Sequence, residues 1–205
     1  MSGRFIALEG VDGSGKTTQA RMLADALERR GVPVLRTREP GGTPVGELIR
    51  DVVLAAPSLS MTLLTEVHLF AASRAEHVRT VIRPALTEGT WVVSDRFVDS
   101  SLAFQGAGRG IGVEAVWEAN RAAVDGCLPD LAVVIDVPLE IAGSRRAAAP
   151  DRIEAEGPGF HARVAEGYRD LVADNPGRMR LVDGRGTPDE VHARVLDAVA
   201  ALVPA

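Results

Sequence analysis

Apolar positions along the chain fall into two alternating kinds of run. RFIALE (4–9), PVLRTRE (33–39), TWVVSD (90–95), DLAVVIDV (130–137) and RMRLVDG (178–184) have the length of strands. DLAVVIDV is the clearest, because a near-continuous apolar run marks a strand covered on both faces. The runs between them carry helical spacing. In TTQARMLADALERRG, Met22, Leu23, Ala26 and Leu27 share one face, and Gly31 is a stop. PVGELIRDVVLAA, TLLTEVHLFAASRAEHVRTVIRPALTEG, GVEAVWEANRAAVDG and GFHARVAEGYRDLVADNPG read as further helices. So do PLEIAGSRRAA, with proline in its first turn, and TPDEVHARVLDAVAALV, with a threonine cap. The long apolar helix covers 62–88 and ends near Gly89. Strands that alternate with helices predict an α/β fold with a parallel sheet of five strands flanked by helices. No repeat or linker interrupts the pattern, which predicts one domain over 1–205. The least core-like stretch, AAAPDRIEAEGPG at 147–159, is polar and broken by proline and glycine, and is expected to be a mobile lid loop.

Composition narrows the partners. The 205 residues are 46% apolar and 25% charged, an ordinary globular balance, and suffice for one substantial core. A net charge of −5 argues against a general binder of nucleic-acid backbone, which needs a basic face. Any anion must be held by local groups. The single cysteine, Cys127, excludes an internal disulfide framework and fits a reducing compartment. MSGRFIALEG turns polar at once and is not read as a signal peptide, and no apolar run reaches the ~18 residues of a membrane helix. The expectation is a cytoplasmic protein that engages neither membrane nor nucleic acid.

One loop carries a triphosphate signature. Gly10-Val11-Asp12-Gly13-Ser14-Gly15-Lys16-Thr17 fits G-x-x-x-x-G-K-[ST], follows a strand and opens a helix with Thr18. Glycines let successive N–H groups point inward at a phosphate, and the helix start adds partial positive charge. Lys16 supplies a compact ammonium for the β- and γ-phosphates, and Thr17 a hydroxyl for Mg²⁺. Lys16 is the only lysine; the other 22 cationic side chains are arginines. A planar guanidinium fork does not replace an ammonium inside a tight backbone loop, which explains why lysine persists there. The loop names a nucleoside triphosphate and leaves the phosphate acceptor open.

Three further segments address the acceptor: TREPGGT (37–43), LFAASRAEH (69–77) and DRFVDSSLAFQGAGRG (95–110). Two of them follow strands, whose carboxyl ends hold ligands in open parallel sheets. Together with EGVDGSGKTT, DRIEAE and FHARVAEGY, they make the chain similar to bacterial thymidylate kinases over essentially its whole length. That resemblance implies a P-loop nucleoside monophosphate kinase that moves a phosphoryl group from ATP to dTMP, with Mg²⁺ and as a homodimer.

The resemblance also distributes roles. Arg96 resembles the arginine that holds the acceptor's 5′-phosphate, and Asp95 the carboxylate near the metal, acting through water or on Arg96. Phe70 resembles the aromatic that stacks on thymine; without the resemblance it would be read as core. Arg74, one helical turn on, resembles the reader of thymine O4. Ser101 and Gln105 resemble polar readers of the base edge, and Asp12 the loop carboxylate near the acceptor sugar and the metal. Gly13 leaves the loop without an arginine, so the resemblance assigns the extra positive charge to the lid. Arg152 is the best match, while Arg145 or Arg146 flanks the adenine. At Phe104, where many members of the resembled family have tyrosine, the missing hydroxyl predicts weaker discrimination against ribose. Other readings stand beside this one: another deoxynucleotide kinase, a deoxynucleoside kinase, or a P-loop switch ATPase. A nucleoside kinase would need a carboxylate base for a 5′-hydroxyl and no phosphate-gripping arginine. A switch ATPase would need a second loop lysine, which this chain lacks.

Overall fold

The computed structural model describes residues 3–55, 59–145 and 150–203. Five parallel strands, β1 (Phe5–Glu9), β2 (Val34–Arg38), β3 (Trp91–Asp95), β4 (Leu131–Asp136) and β5 (Met179–Asp183), form one sheet in the order β2-β3-β1-β4-β5. The expected α/β architecture is therefore the observed one. Side chains along β1 alternate between two cores. Phe5 and Ala7 join one side with Val92, Ala132 and Val134, while Ile6 and Leu8 join the other with Val93, Val133 and Ile135. Both sides are covered at the centre of the sheet, which is why β1, β3 and β4 read as apolar runs, while the edge strands β2 and β5 carry exposed arginines.

Helices α1 (Lys16–Glu28) and α9 (Pro188–Val199) cover the second side through Leu23, Leu27, Val191, Val195 and Val199. On the other side lie α3 (Leu63–His77), α6 (Val113–Val124) and α8 (Pro158–Asp174), while α2 (Pro44–Val53) packs on α3. Thr43, Thr62 and Thr187 cap α2, α3 and α9 through their side chains, and Thr187 forms a full capping box with Glu190.

Two segments add widened turns, one inside an expected helix and one where no helix was expected. The long helix over 62–88 widens into a π-helical turn at Val78–Ile82 before α4 (Arg83–Thr87). Arg83 N–H reaches back five residues to Val78, next to Pro84, which has no N–H to offer the preceding turn. After β3 the chain forms α5 (Val98–Ser101) and then a second π-helical stretch, Leu102–Gly108, closed by Arg109 N–H on the Phe104 carbonyl at 2.9 Å. Widened turns of this kind occur at functional sites, and this one faces the cleft described below.

The short helix α7 (Leu139–Ser144) precedes the expected lid. Arg146 and residues 147–149 lie outside the described residues. Residues 151–156 form a hydrogen-bonded turn: Asp151 Oδ1 accepts from the N–H groups of Ile153 and Glu154 at 2.8 and 2.9 Å, and Ile153 is buried. Among the described residues no helix is long and apolar enough to cross a membrane.

Candidate active site

The glycine loop runs from the carboxyl end of β1 into the first turn of α1, the context its spacing predicted. Gly13 has φ 83°, and a Cβ there would lie 2.1 Å from the Ala142 carbonyl of α7. The loop and α7 therefore meet at a residue that must lack a side chain, and no arginine fits at that position. Lys16 is buried and donates to the Val11 carbonyl at 2.8 Å. Burial, then the nearby Arg96, lowers its ammonium to about 8 against the opposing pull of Asp12, Asp95 and Glu9. Thr17 Oγ1 donates to Asp95 Oδ2 at 2.5 Å.

Arg96 stands at the centre of the site. Its backbone is left-handed, φ 72°, a conformation that costs a bulky residue about 1–3 kcal/mol and persists only when surroundings fix it. They do so here. Its N–H donates to Leu8, its carbonyl accepts from the Ser94 hydroxyl at 2.7 Å, and its guanidinium pairs with Asp12. Nη1 also reaches the Gly10 carbonyl at 3.1 Å and Ser100 Oγ at 2.9 Å, and the guanidinium lies over the Phe104 ring. Burial works against its charge, but Asp12, Tyr168, Asp95 and Glu9 outweigh it and hold the group above its ordinary value. Arg96 thus bonds the glycine loop and lines the neighbouring cleft.

That cleft is lined by Asp12, Phe70, Arg74, Arg96, Ser101 and Gln105, every residue expected to hold the acceptor, and by Phe104. Arg74 is almost wholly buried at 1% exposure. Its Nε donates to Glu39 at 2.9 Å, Nη1 to Asn120 Oδ1, and Nη2 to the Phe97 carbonyl and Ser101 Oγ, each at 3.2 Å. Four of its five N–H groups are thereby committed. Glu39 also meets His77 Nδ1 at 3.0 Å, and His77 Nε2 lies 2.6 Å from Thr37 Oγ1. Gly42, φ 77°, fits only without a Cβ, which would lie 2.8 Å from the His77 ring. The TREPGGT loop is thus clamped to α3 beneath the cleft.

The two described arginines expected to serve the ATP side do not line that cleft. Arg145 ends α7, three residues after the Ala142 carbonyl that touches Gly13, and is exposed. Arg152 is not aimed at the glycine loop. It is buried, pairs with Glu66 at 2.6 Å and donates to the Val53 carbonyl at 3.0 and 3.2 Å. A buried carboxylate on α3 attracts it there. Glu66 also accepts from Gln105 Nε2 at 2.8 Å and from Arg109 at 3.1 and 3.3 Å. Burial alone would raise the Glu66 carboxyl; Gln105, Arg109 and Arg152 bring it below its ordinary value.

Sequence reasoning passed over several groups. Glu66, Phe70 and Arg74 recur at i, i+4 and i+8, one face of α3, and a carboxylate on that face was a readable signal. Arg50 on α2 lines the cleft and donates to the Pro40 carbonyl at 3.0 Å; burial, then Arg38, pulls it below its ordinary value. Glu9 and Tyr168 form a buried pair beneath Arg96, with Tyr168 Oη 2.9 Å from Glu9 Oε2. Burial and then Asp99 raise the Glu9 carboxyl to about 7.

A glycine loop of phosphate-cradling type and a cleft lined by an aromatic and polar groups share one wall, bridged by the half-buried Arg96. The family model for thymidylate kinase matches residues 8–195. The chain belongs to the thymidylate kinase family. It is 45% identical to the thymidylate kinase of Rhizorhabdus wittichii, over the full length of both chains. It is 48% identical to that of Pelotomaculum thermopropionicum, covering 100% of this chain and 96% of the relative. The crystal structure of thymidylate kinase from Ehrlichia chaffeensis superimposes with a TM-score of 0.81 at 34% identity, covering 97% of this chain and 100% of that one. These matches support a kinase acting on dTMP over a nucleoside kinase or a switch ATPase.

Proposed function

We infer that this thymidylate kinase family member transfers the γ-phosphoryl group of ATP to dTMP, giving dTDP and ADP. The observation that carries the reading is Arg96, held by Asp12 and Gly10 of the triphosphate loop while lining the cleft with Phe70 and Arg74. A nucleophilic phosphate oxygen is already ionised at pH 7, so the reaction needs alignment and positive charge more than a base. In this reading Gly10, Val11, Asp12, Gly13, Ser14, Gly15, Lys16, Thr17 and Thr18 cradle the ATP phosphates, and Arg145 flanks the adenine. Arg96 holds the acceptor phosphate with Arg50, and Phe70 stacks on the base. The N–H of Arg74 that has no partner among the described residues meets thymine O4. Gln105, its amide NH₂ on Glu66, offers its carbonyl oxygen to the base edge beside Ser101.

Thr17 Oγ1 and Asp95 Oδ2 converge at 2.5 Å, an all-oxygen pair suited to Mg²⁺. Among the described residues no group of three or more His, Cys, Asp or Glu side chains surrounds a metal position. Bound there, with Asp95 acting directly or through water, Mg²⁺ would offset charge on the transferring phosphate. Arg152 would act at that group by exchanging Glu66 for the nucleotide, with Gln105 and Arg109 left to hold the carboxylate. We place the enzyme in the cytoplasm as one catalytic domain, engaging neither membrane nor nucleic acid.

We also propose a homodimer. Val45, Leu48 and Val52 lie on one exposed face of α2, and Leu63 and Leu64 are exposed at the start of α3. Sedimentation at micromolar concentration should give twice the chain mass, and Leu48→Glu should give the monomer.

The test of the activity is a panel of nucleosides and nucleoside monophosphates incubated with ATP and Mg²⁺ while ADP is followed. Turnover should be greatest with dTMP and absent with thymidine. Preference over dUMP rests on one methyl group, about 1–3 kcal/mol. Arg74→Gln should raise the dTMP KM about tenfold or more and leave the ATP KM nearly unchanged, because one charge-assisted hydrogen bond is worth about 1.5–3 kcal/mol. Equal effects on both substrates would remove Arg74 from the base site. Its melting temperature should also fall, because the buried Glu39 loses its cationic partner.

A further inference from the structure

Glu9 closes β1 with none of its surface exposed. Its Oε1 accepts the Phe97 N–H at 2.8 Å. Its Oε2 accepts two hydroxyls, Ser100 at 2.6 Å and Tyr168 at 2.9 Å. Each hydroxyl has a single proton. With both protons directed to Glu9, both oxygens turn lone pairs toward Arg96 Nη1, which lies 2.9 Å from Ser100 Oγ and 3.4 Å from Tyr168 Oη. Asp12 takes the other end of the guanidinium. The charges facing Glu9 are Asp99, Arg96, Lys16 and Arg178, while the Tyr168 phenol stays neutral. Asp99 is itself balanced by Arg178, which grips both its oxygens at 2.7 and 2.8 Å. The hydroxyls of Ser100 and Tyr168 therefore form a polarised bridge with the carboxylate at one end and the guanidinium at the other.

We propose that Glu9 is a positioning residue for the acceptor phosphate: through Ser100 and Tyr168 it fixes where the Arg96 guanidinium points. The proposal rests on the reading that Arg96 grips that phosphate. It explains why a carboxylate occupies a site where burial disfavours its charge. Only a group that accepts at both oxygens sets both hydroxyls as acceptors for Arg96. A glutamine of the same shape reverses that polarity. Its carbonyl oxygen must stay on the Phe97 N–H, so its NH₂ would face the two hydroxyls and drive a hydroxyl proton toward the guanidinium.

The experiment is calorimetric titration of dTMP and, separately, thymidine into wild type, Arg96→Gln, Glu9→Gln and Tyr168→Phe at pH 8, above the value to which burial raises the Glu9 carboxyl. Arg96→Gln should weaken dTMP about thirtyfold and leave thymidine unchanged. Glu9→Gln should weaken dTMP about tenfold and Tyr168→Phe about threefold, again with thymidine unchanged. Tyr168→Phe keeps the buried ring, so it decides the matter should Glu9→Gln fail to fold. If Arg96→Gln loses dTMP while the other two bind it like wild type, or lose thymidine in equal measure, Glu9 merely packs and the proposal falls. If Arg96→Gln itself leaves the ratio of dTMP to thymidine affinity unaltered, the phosphate reading of Arg96 fails and takes this proposal with it.

Discussion

Lys16→Arg will bind ATP nearly as tightly as wild type and lose about 10²–10³ in kcat, although the charge is kept. The reason is geometric. The Lys16 ammonium is buried and lies 2.8 Å from the Val11 carbonyl, inside the curl of the loop. A point donor on a four-carbon stem can leave that carbonyl for the β- and γ-phosphates, whereas a planar fork needs width that the loop lacks. The backbone N–H groups still hold ATP, so the ground state is largely kept and the loss falls on the transferring group. Single-turnover transfer to dTMP, beside an equilibrium titration of ATP, separates the two. Near-normal transfer by the arginine variant would show that the chain's sole lysine is there by accident.

The second large effect is expected at Arg152. With no arginine possible at Gly13, the transferring phosphoryl group takes its extra positive charge from elsewhere, and Arg152→Ala should lower kcat on the order of 10² with a much smaller change in the dTMP KM. The bonds to Glu66 and Val53 make the opposite pattern informative. A raised dTMP KM with kcat preserved would show that Arg152 supports the cleft floor under Gln105, and the catalytic charge would pass to Arg145. Arg145→Ala otherwise raises the ATP KM alone. Steady-state measurements on both variants, with each substrate varied in turn, decide between the two arginines.

The central strands were legible because a short, β-branched apolar run bounded by turn residues suits a strand covered on both faces: DLAVVIDV contains β4 within one residue at each end. The widened turns at 78–82 and 102–108 were not legible. One extra residue in a turn hardly disturbs apolar spacing, and Pro84 alone hinted at the first. The glycine loop could be read outright, since its chemistry is local to eight residues. Phe70 and Arg74 needed the family resemblance, because an aromatic and an arginine on an amphipathic helix are ordinary. Glu9 stayed silent for another reason. Its meaning lies in Tyr168, 159 positions away, and no local pattern announces a partner at that distance. Arg152 shows the converse: a residue placed by local likeness whose nearest partner, Glu66, went unnoticed in an apolar helix.

Glu66 has a consequence for how the acceptor range of this protein can change. Its single carboxylate receives Gln105 from the wall of the cleft, Arg109 from the end of the widened turn, and Arg152 from the turn that follows α7. A substitution at Gln105 that admits a different base also withdraws a donor from a buried anion, and the strain is felt at both arginines. Which nucleotide enters and how the cleft is covered are thus traits inherited together. A directed-evolution library restricted to cleft-lining positions would yield mostly slow or unstable variants. With Gln105 as a base reader, as proposed above, paired changes at 105 and 66 should reach a new acceptor more readily than single changes at 105.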